Sequence, residues 1–364
     1  MTAPGSARAD VAVRAGLGLD YVEFYVGDLD ASIAFWAGHY GCAVVGAAED
    51  RAGGFRSVAV RNGQISLVLT EGTSPCHPAS EFVAAHGDGV ADIALRTADV
   101  RASFAAAVAR GARPVREPTT HGGACPAATA AVSAFGDVVH TLVQRDAGDR
   151  GGLPSGFQAV PARAQGGDPP GSGFGLTGID HLAVCLPAGG LDATAGYYQR
   201  VLGFRQSFEE RIEVGPRAMD TKVVQSAGGV TLTLIAPDLG ASTGQVDDFL
   251  TSHGGPGVQH IAFSCDDAVR SVRALSARGV VFLETPGSYY DLLSTRLTPA
   301  RHAVAELRAL GLLVDQDHAG HLYQIFTRSV HRRRTLFFEV IERDGAQSFG
   351  TANIKALYEA VERG

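Results

Sequence analysis

The sequence predicts an α+β protein built from two copies of one strand–helix–strand unit, and three internal echoes carry that expectation. GLDYVEFYVGDLDASIAFWAGHYG, from Gly18, returns as GIDHLAVCLPAGGLDATAGYYQRVLGF, from Gly178. HGDGVADIALRTADVRASFAAAVARGARPV, from His86, returns as HGGPGVQHIAFSCDDAVRSVRALSARGVVF, from His253. FGDVVHTLVQRD returns as RTLFFEVIERD. The 364 residues hold 46 glycines and 16 prolines, a turn density that suits a strand-rich chain.

Taken in order, residues 1–16 read as a flexible N-terminus with no apolar core of signal-peptide length. Residues 17–146 form the first module. It opens with a short apolar strand, an acidic helix start at Asp28 and Asp30, and a helix with aromatics on its inner face. A second strand–helix pair ends at Arg110-Gly111, where a helix terminus favours a left-handed residue; Gly279 holds the same place in the second copy. Residues 147–175, rich in Gly, Pro and small polar residues, read as a linker. Residues 176–364 form the second module. Its tail places Ile354, Leu357, Tyr358 and Val361 at helical spacing, an amphipathic helix suited to covering the module as a lid.

Hydrophobic residues make up 45% and charged residues 19% of a chain with net charge −7, which argues against a basic nucleic-acid surface. No apolar run reaches the ~20 residues of a membrane span. Five scattered cysteines without a CxxC pair argue against a disulfide framework and for a reducing, cytoplasmic setting.

Three polar residues interrupt apolar strands of the second module: His181 in IDHLAV, His260 in VQHIAF and Glu339 in LFFEVI. Strand alternation turns His181 to the face of Ile179, Ala183 and Cys185, and Glu339 to that of Phe337 and Ile341. A carboxylate there costs several kcal/mol unless a cation or strong donor meets it. Two imidazoles and one carboxylate on separate strands fit the facial triad of a non-haem Fe(II) site with open positions. Singly, each histidine is equally a satisfied core residue and Glu339 a salt-bridged one. In the repeat register the first module carries Tyr21, Asp92 and Thr141 instead, which is no metal set. His318 and His321 read as a turn before a strand, and His331 to Arg334 as a solvated basic loop. His77, His86, His121 and His140 have no partner pattern. Nucleotide loops, an H-E-x-x-H helix and a recognisable nucleophile are all missing.

From about Asp20 to Glu362 the chain resembles the 4-hydroxyphenylpyruvate dioxygenase family, through GGPGVQHIAF, TPGSYYDLL, LVDQDHAGHLYQIFT, TLFFEVIERDGAQSFG and the NIKALY helix. The resemblance implies two tandem vicinal-oxygen-chelate modules of βαβββ type forming open barrels. It implies Fe(2+) on His181, His260 and Glu339, with 4-hydroxyphenylpyruvate and O2 as substrates. Gln324 and Phe349 match a pocket glutamine and phenylalanine of that family, and Gln259 is a hydrogen-bonding group beside the ligands. A homodimer is expected, with neither nucleic acid nor membrane as partner.

The departures from the dioxygenase pattern point to one branch. The dioxygenases carry proline and, two residues on, asparagine where this chain has Thr233 and Ile235; they carry Gly-Asn-Phe where it has Ala352-Asn353-Ile354. These changes resemble the 4-hydroxymandelate synthases of glycopeptide-type antibiotic pathways. The expected reaction is therefore oxidative decarboxylation and benzylic hydroxylation to 4-hydroxymandelate. Product choice falls to Thr221, Thr233, Ile235, Ile354 and Tyr358, with Asn353 in the substrate pocket. The alternatives are ring hydroxylation to homogentisate and, from a different class, a non-catalytic small-molecule binder of the same fold.

Overall fold

The computed structural model describes residues 16–121, 128–146, 152–160, 174–350, 353 and 355. The expected N-terminal segment, most of the expected linker, and Ile354 and Tyr358 of the expected lid helix lie outside the described residues.

In the first module, β1 (Gly18–Tyr25) leads into α1 (Leu29–Tyr40), then β2 (Ala43–Asp50), β3 (Phe55–Asn62) and β4 (Ile65–Gly72). A second round follows: α2 (Pro78–His86), β5 (Gly89–Arg96), α3 (Val100–Ala109), β6 (Pro114–Thr120), β7 (Ala128–Ser133), β8 (Val139–Gln144) and the short β9 (Gln158–Ala159). The second module repeats the plan with β10 (Leu176–Cys185), α4 (Leu191–Arg200), β11 (Arg205–Val214), β12 (Arg217–Gln225) and β13 (Thr231–Pro237). It continues through α5 (Gln245–His253), β14 (Gly257–Cys265), α6 (Ala268–Ala277), α7 (Gly287–Arg296), α8 (Val304–Leu310), β15 (Leu313–Gln316), β16 (His321–Phe326) and β17 (Phe337–Asp344).

Strand order makes the duplication explicit. The first sheet runs β6-β7-β8-β5-β1-β4-β3-β2-β9 and the second β15-β16-β17-β14-β10-β13-β12-β11, so each strand has a counterpart except β9. At the centre of each sheet the parallel pairs β1–β4 and β5–β8 match β10–β13 and β14–β17. The local signals act as anticipated. Asp28 caps α1 by accepting from the Ala31 N–H, and Gly111 and Gly279 take φ of 107° and 85° after their helices.

The helices that follow the first strand of each module pack on the opposite sheet. Trp36 and Tyr40 of α1 meet Phe263 of β14 and Phe338 of β17, with Trp36–Phe338 and Tyr40–Phe338 ring centroids 5.1 and 5.4 Å apart. Reciprocally, Tyr197 of α4 donates to the Ser133 carbonyl at 2.6 Å, and the Tyr198 hydroxyl bonds His140 Nε2 at 2.8 Å. One apolar core consequently runs through both modules.

Three histidine-region readings are revised. His140 is fully buried, holding the Ile93 carbonyl on one side and Tyr198 of the other module on the other. His86 and His253, equivalent in the repeat, stack with centroids 4.5 Å apart across the junction. The basic loop is not simply solvated: Arg333 donates to the Ala84 and Ala85 carbonyls at the end of α2 and reaches Ser252 near the end of α5. By contrast, His318 lies in a turn and His321 opens β16, as anticipated. Part of the expected linker also has a fixed place. β9 pairs with β2 through Gly46–Ala159 and Ala47–Gln158, while Leu153 packs where a Cβ on Gly46 would stand 2.5 Å from it.

Burial depresses the pKa of His140 from 6.5 to about 4, and burial with the neighbouring His86 does the same to His253. Unfolding restores the ordinary value, so between about 6.5 and 4 the unfolded chain binds protons the native chain does not. Stability held at neutral pH is thus lost progressively as pH falls through that window. Denaturant midpoints measured from pH 7.5 to 4 should drop there, and the drop should be smaller in His140→Gln. Parallel profiles for the two proteins would exclude His140 as a source of the acid lability.

Candidate metal centre

His181, His260 and Glu339 come from three neighbouring strands, β10, β14 and β17, in adjacent registers. His181 lies opposite Ala262, and Ala262 lies beside Glu339, while His260 is offset by the length of one pleat. All three side chains are buried on the concave face. Glu339 Oε2 lies 3.4 Å from His181 Nε2 and 3.5 Å from His260 Nε2. Adjacent ligands bonded at ~2.1 Å around one metal stand ~3 Å apart, so a cation at their focus needs only a slight inward movement.

Each imidazole is oriented from behind. His181 Nδ1 donates to Asp180 at 2.8 Å and His260 Nδ1 to Gln259 Oε1 at 3.3 Å, which turns both Nε2 lone pairs toward Glu339. Burial disfavours a proton on His181, yet Glu339 and Asp180 outweigh it and raise its pKa to about 9. Burial and the neighbouring His181 charge push His260 well below its ordinary value. Burial likewise opposes charge on Asp180, but His181 and Arg343 hold it well below the usual carboxylate range. The pocket therefore favours one positive charge among carboxylates, and two imidazoles plus one carboxylate are a donor set that suits a divalent transition metal.

The three side chains open on a cavity lined by Met219, Thr221, Thr233, Ile235, Gln245, Gln259, Gln324, Phe326, Phe337 and Phe349. Thr233 Oγ1, Gln245 Nε2 and Gln324 Oε1 are buried and have no hydrogen-bond partner among the described residues. Such unpaired polar atoms are costly unless a ligand meets them. Phe349 stands edge-on to His181 with centroids 5.2 Å apart, and Phe337 stacks on His260 at 4.9 Å. Gly350 has a φ of 70°, and a Cβ there would come within 2.9 Å of Gln324 Oε1, so only glycine lets the chain turn past this glutamine. Asn353 is buried and accepts from the Tyr289 hydroxyl at 3.1 Å, and its Nδ2 has no partner among the described residues.

His181, Thr221, Thr233, Ile235, Gln259, His260, Gln324, Glu339 and Phe349 thus border one cavity, whereas Asn353 is not among its lining residues and Ile354 and Tyr358 lie outside the described residues. Sequence reasoning missed Met219 and Gln245, as well as Phe326 and Phe337 as pocket walls. It also missed Asp180 and Arg343, although both recur in the repeat as Asp20 and Arg145.

In the first module the equivalent positions are closed by internal bonds. Asp92 accepts from the Thr141 N–H at 2.9 Å and from its hydroxyl, and Glu23 accepts from Thr70 at 2.6 Å. A further grouping, Asp267, His302 and Glu342, is held by other groups of the protein. Asp267 caps α6, and Glu342 takes the Ala268 N–H, His302 and Arg301.

The four cysteines among the described residues are unpaired, and no helix among those residues is long and apolar enough to cross a membrane.

Residues 18–129 and 178–323 each match the family described as Glyoxalase/Bleomycin resistance protein/Dioxygenase superfamily. The chain is 32% identical to 4-hydroxyphenylpyruvate dioxygenase of Yarrowia lipolytica over 95% of its own length and 91% of the relative's. It is 31% identical to the enzyme of that name from Danio rerio, over 95% and 90%. Among solved structures it resembles a variant of 4-hydroxymandelate synthase from Streptomyces coelicolor. There the TM-score is 0.85 at 44% identity, covering 95% of this chain and 98% of that one. The repeated match and the near full-length likeness agree with the duplicated topology: this chain belongs to the 4-hydroxyphenylpyruvate dioxygenase family, as two tandem modules of the vicinal-oxygen-chelate fold.

Proposed function

We propose that the protein is a non-haem Fe(II) oxygenase that converts 4-hydroxyphenylpyruvate and O2 to 4-hydroxymandelate and CO2. The observation that carries this reading is the buried His181/His260/Glu339 cluster facing a cavity with unpaired polar atoms. Residues 176–364 are the catalytic module, and residues 17–146 the module that has no metal set. A ferrous ion held by the three ligands would supply chelation of the α-keto acid and the electrons that begin O2 reduction.

The protein's own residues do the rest. The keto-acid end of the substrate faces the ligands, and its aryl ring lies between the apolar walls Phe326, Phe337 and Ile235. Thr233, Gln245 and Gln324 offer hydrogen bonds that fix the polar ends of the molecule, and Phe349 excludes water from the ligand side. The atoms balance without another reactant. One oxygen atom enters the new carboxylate as CO2 leaves, and the other enters the benzylic carbon. Pocket shape decides where the second atom goes, which assigns product choice to Thr221, Thr233, Ile235 and the tail residues Ile354 and Tyr358. The 44% identity to a 4-hydroxymandelate synthase favours the benzylic outcome. The second reading, ring hydroxylation to homogentisate, draws on the curated relatives named as dioxygenases.

Chromatography of the aromatic product separates the two readings; homogentisate alone would overturn the first. Turnover should need no added 2-oxoglutarate and should consume one O2 and release one CO2 per substrate, which an oxygen electrode and CO2 trapping check. Metal analysis should find one iron per chain, greatly weakened in His260→Ala and unchanged in Asp92→Ala. Full iron and turnover in His260→Ala would remove the site assignment. Ile354→Phe should shift product toward ring oxidation with iron affinity unchanged, a change of ~2.7 kcal/mol in relative barriers sufficing for a hundredfold redirection.

A further inference from the structure

Behind His181 lies an ion pair whose twin sits in the module without a metal set. Arg343, at the end of β17, donates through Nε and Nη2 to both oxygens of Asp180 at 2.8 and 2.9 Å. Asp180 in turn takes the His181 Nδ1 proton at 2.8 Å. The third arm of the same guanidinium, Nη1, donates to the Ser348 carbonyl at 2.7 Å and the Ala346 carbonyl at 3.3 Å, and its plane lies 4.9 Å from the Phe349 ring centre. One arginine therefore grips both the residue that aims a ligand and the turn that brings Phe349 against that ligand's ring.

In the first module Arg145 holds Asp20 at 2.8 and 2.6 Å and the Leu153 carbonyl at 3.2 Å, and Phe157 packs in the cluster containing Tyr21. The latch is the same: strand-one aspartate, last-strand arginine, following carbonyl and phenylalanine. The residue after Asp20, however, is Tyr21, which offers no imidazole. The fold thus uses the latch to tie down the chain after the last strand whether or not a metal set is present. The second module adds a ligand to it.

We propose that Asp180 and Arg343 are positioning residues that couple the aim of His181 to closure of the 346–349 turn, so that metal binding and closure strengthen each other. The coupling is reciprocal: whatever the metal gains from a held His181, the closed turn gains from the metal. This rests on the metal reading of the triad, and the test separates the two.

Co(II) is the probe, with its visible ligand-field bands reporting ligand geometry. Arg343→Gln should weaken Co(II) binding ~10–100-fold and alter those bands. Arg343→Lys, which keeps the charge but not the fork, should recover part of the loss. Arg145→Gln, or Asp20→Asn, should lower the thermal midpoint while leaving Co(II) affinity and spectrum unchanged.

The chain has only two lysines, Lys222 within β12 and Lys355 in the tail, so a lysine-specific protease reads closure directly. Co(II) should slow cleavage at Lys355 in the parent protein and not in Arg343→Gln. If Arg343→Gln does not fold, Arg343→Lys and Asp180→Asn carry the same comparison. Unchanged Co(II) affinity and spectrum in these variants, with only stability reduced as in the twin, would overturn the proposal. Failure of the parent protein to bind Co(II) at all would instead overturn the metal reading.

Discussion

A carboxylate buried in the middle of a sheet sets the terms for everything around it. Glu339 stands on β17 between apolar neighbours; among the described residues its close charged partners are two imidazoles, with Arg343 acting on it only from a distance. A charge in such a place must be matched, since the desolvation it suffers is not repaid by packing. The protein answers with His181, itself held by Asp180, which is held by Arg343. Positive charge is supplied at the ligand face and negative charge behind it, in alternating layers. A cation at the focus is the arrangement these layers favour, and the surrounding unpaired polar atoms extend the same demand into the cavity.

Duplication explains why the answer is found once. The two sheets share their strand order, and their main helices trade places across the junction so that each module stabilises the other's convex side. In the first module, Asp92 closes on Thr141 and Glu23 on Thr70, which consumes the polar capacity that the second module keeps open. Burial with the nearby Asp92 raises Glu23 to about 7, and burial raises Asp92 to about 6, so this face favours protonated carboxyl groups.

Much of this was readable in one dimension. The grouping of His181, His260 and Glu339 was legible because a charged or imidazole residue in an apolar strand is conspicuous, and because the repeat supplied a register: Tyr21, Asp92 and Thr141 do occupy the positions corresponding to His181, His260 and Glu339. Helix starts and stops were legible because capping is local. Met219 and Gln245 were not, since they reach the cavity from β12 and from the start of α5, and only tertiary placement tells which face of those elements looks inward. His140 was opaque for a related reason. Its partner, Tyr198, lies in the other module, and no periodicity announces a contact across a duplication. Arg333 read as solvated because its partners are main-chain carbonyls at helix ends, which leave no trace in side-chain pattern.

The strand without a counterpart in the other sheet, β9, bears on how the molecule behaves in a crowded solution. The border of the second sheet is β11, whose Arg205, Glu209, Glu210, Arg211 and Glu213 make it unattractive to another chain's backbone. The corresponding border of the first sheet is β2, AVVGAAED, small and largely uncharged along most of its length. β9 lies over this border, and Leu153 seats beside Gly46. The segment between the modules is thus a built-in guard against strand addition from neighbouring molecules. Nicking or shortening it would bare an adhesive edge, turning a change in a connector into a problem of self-association.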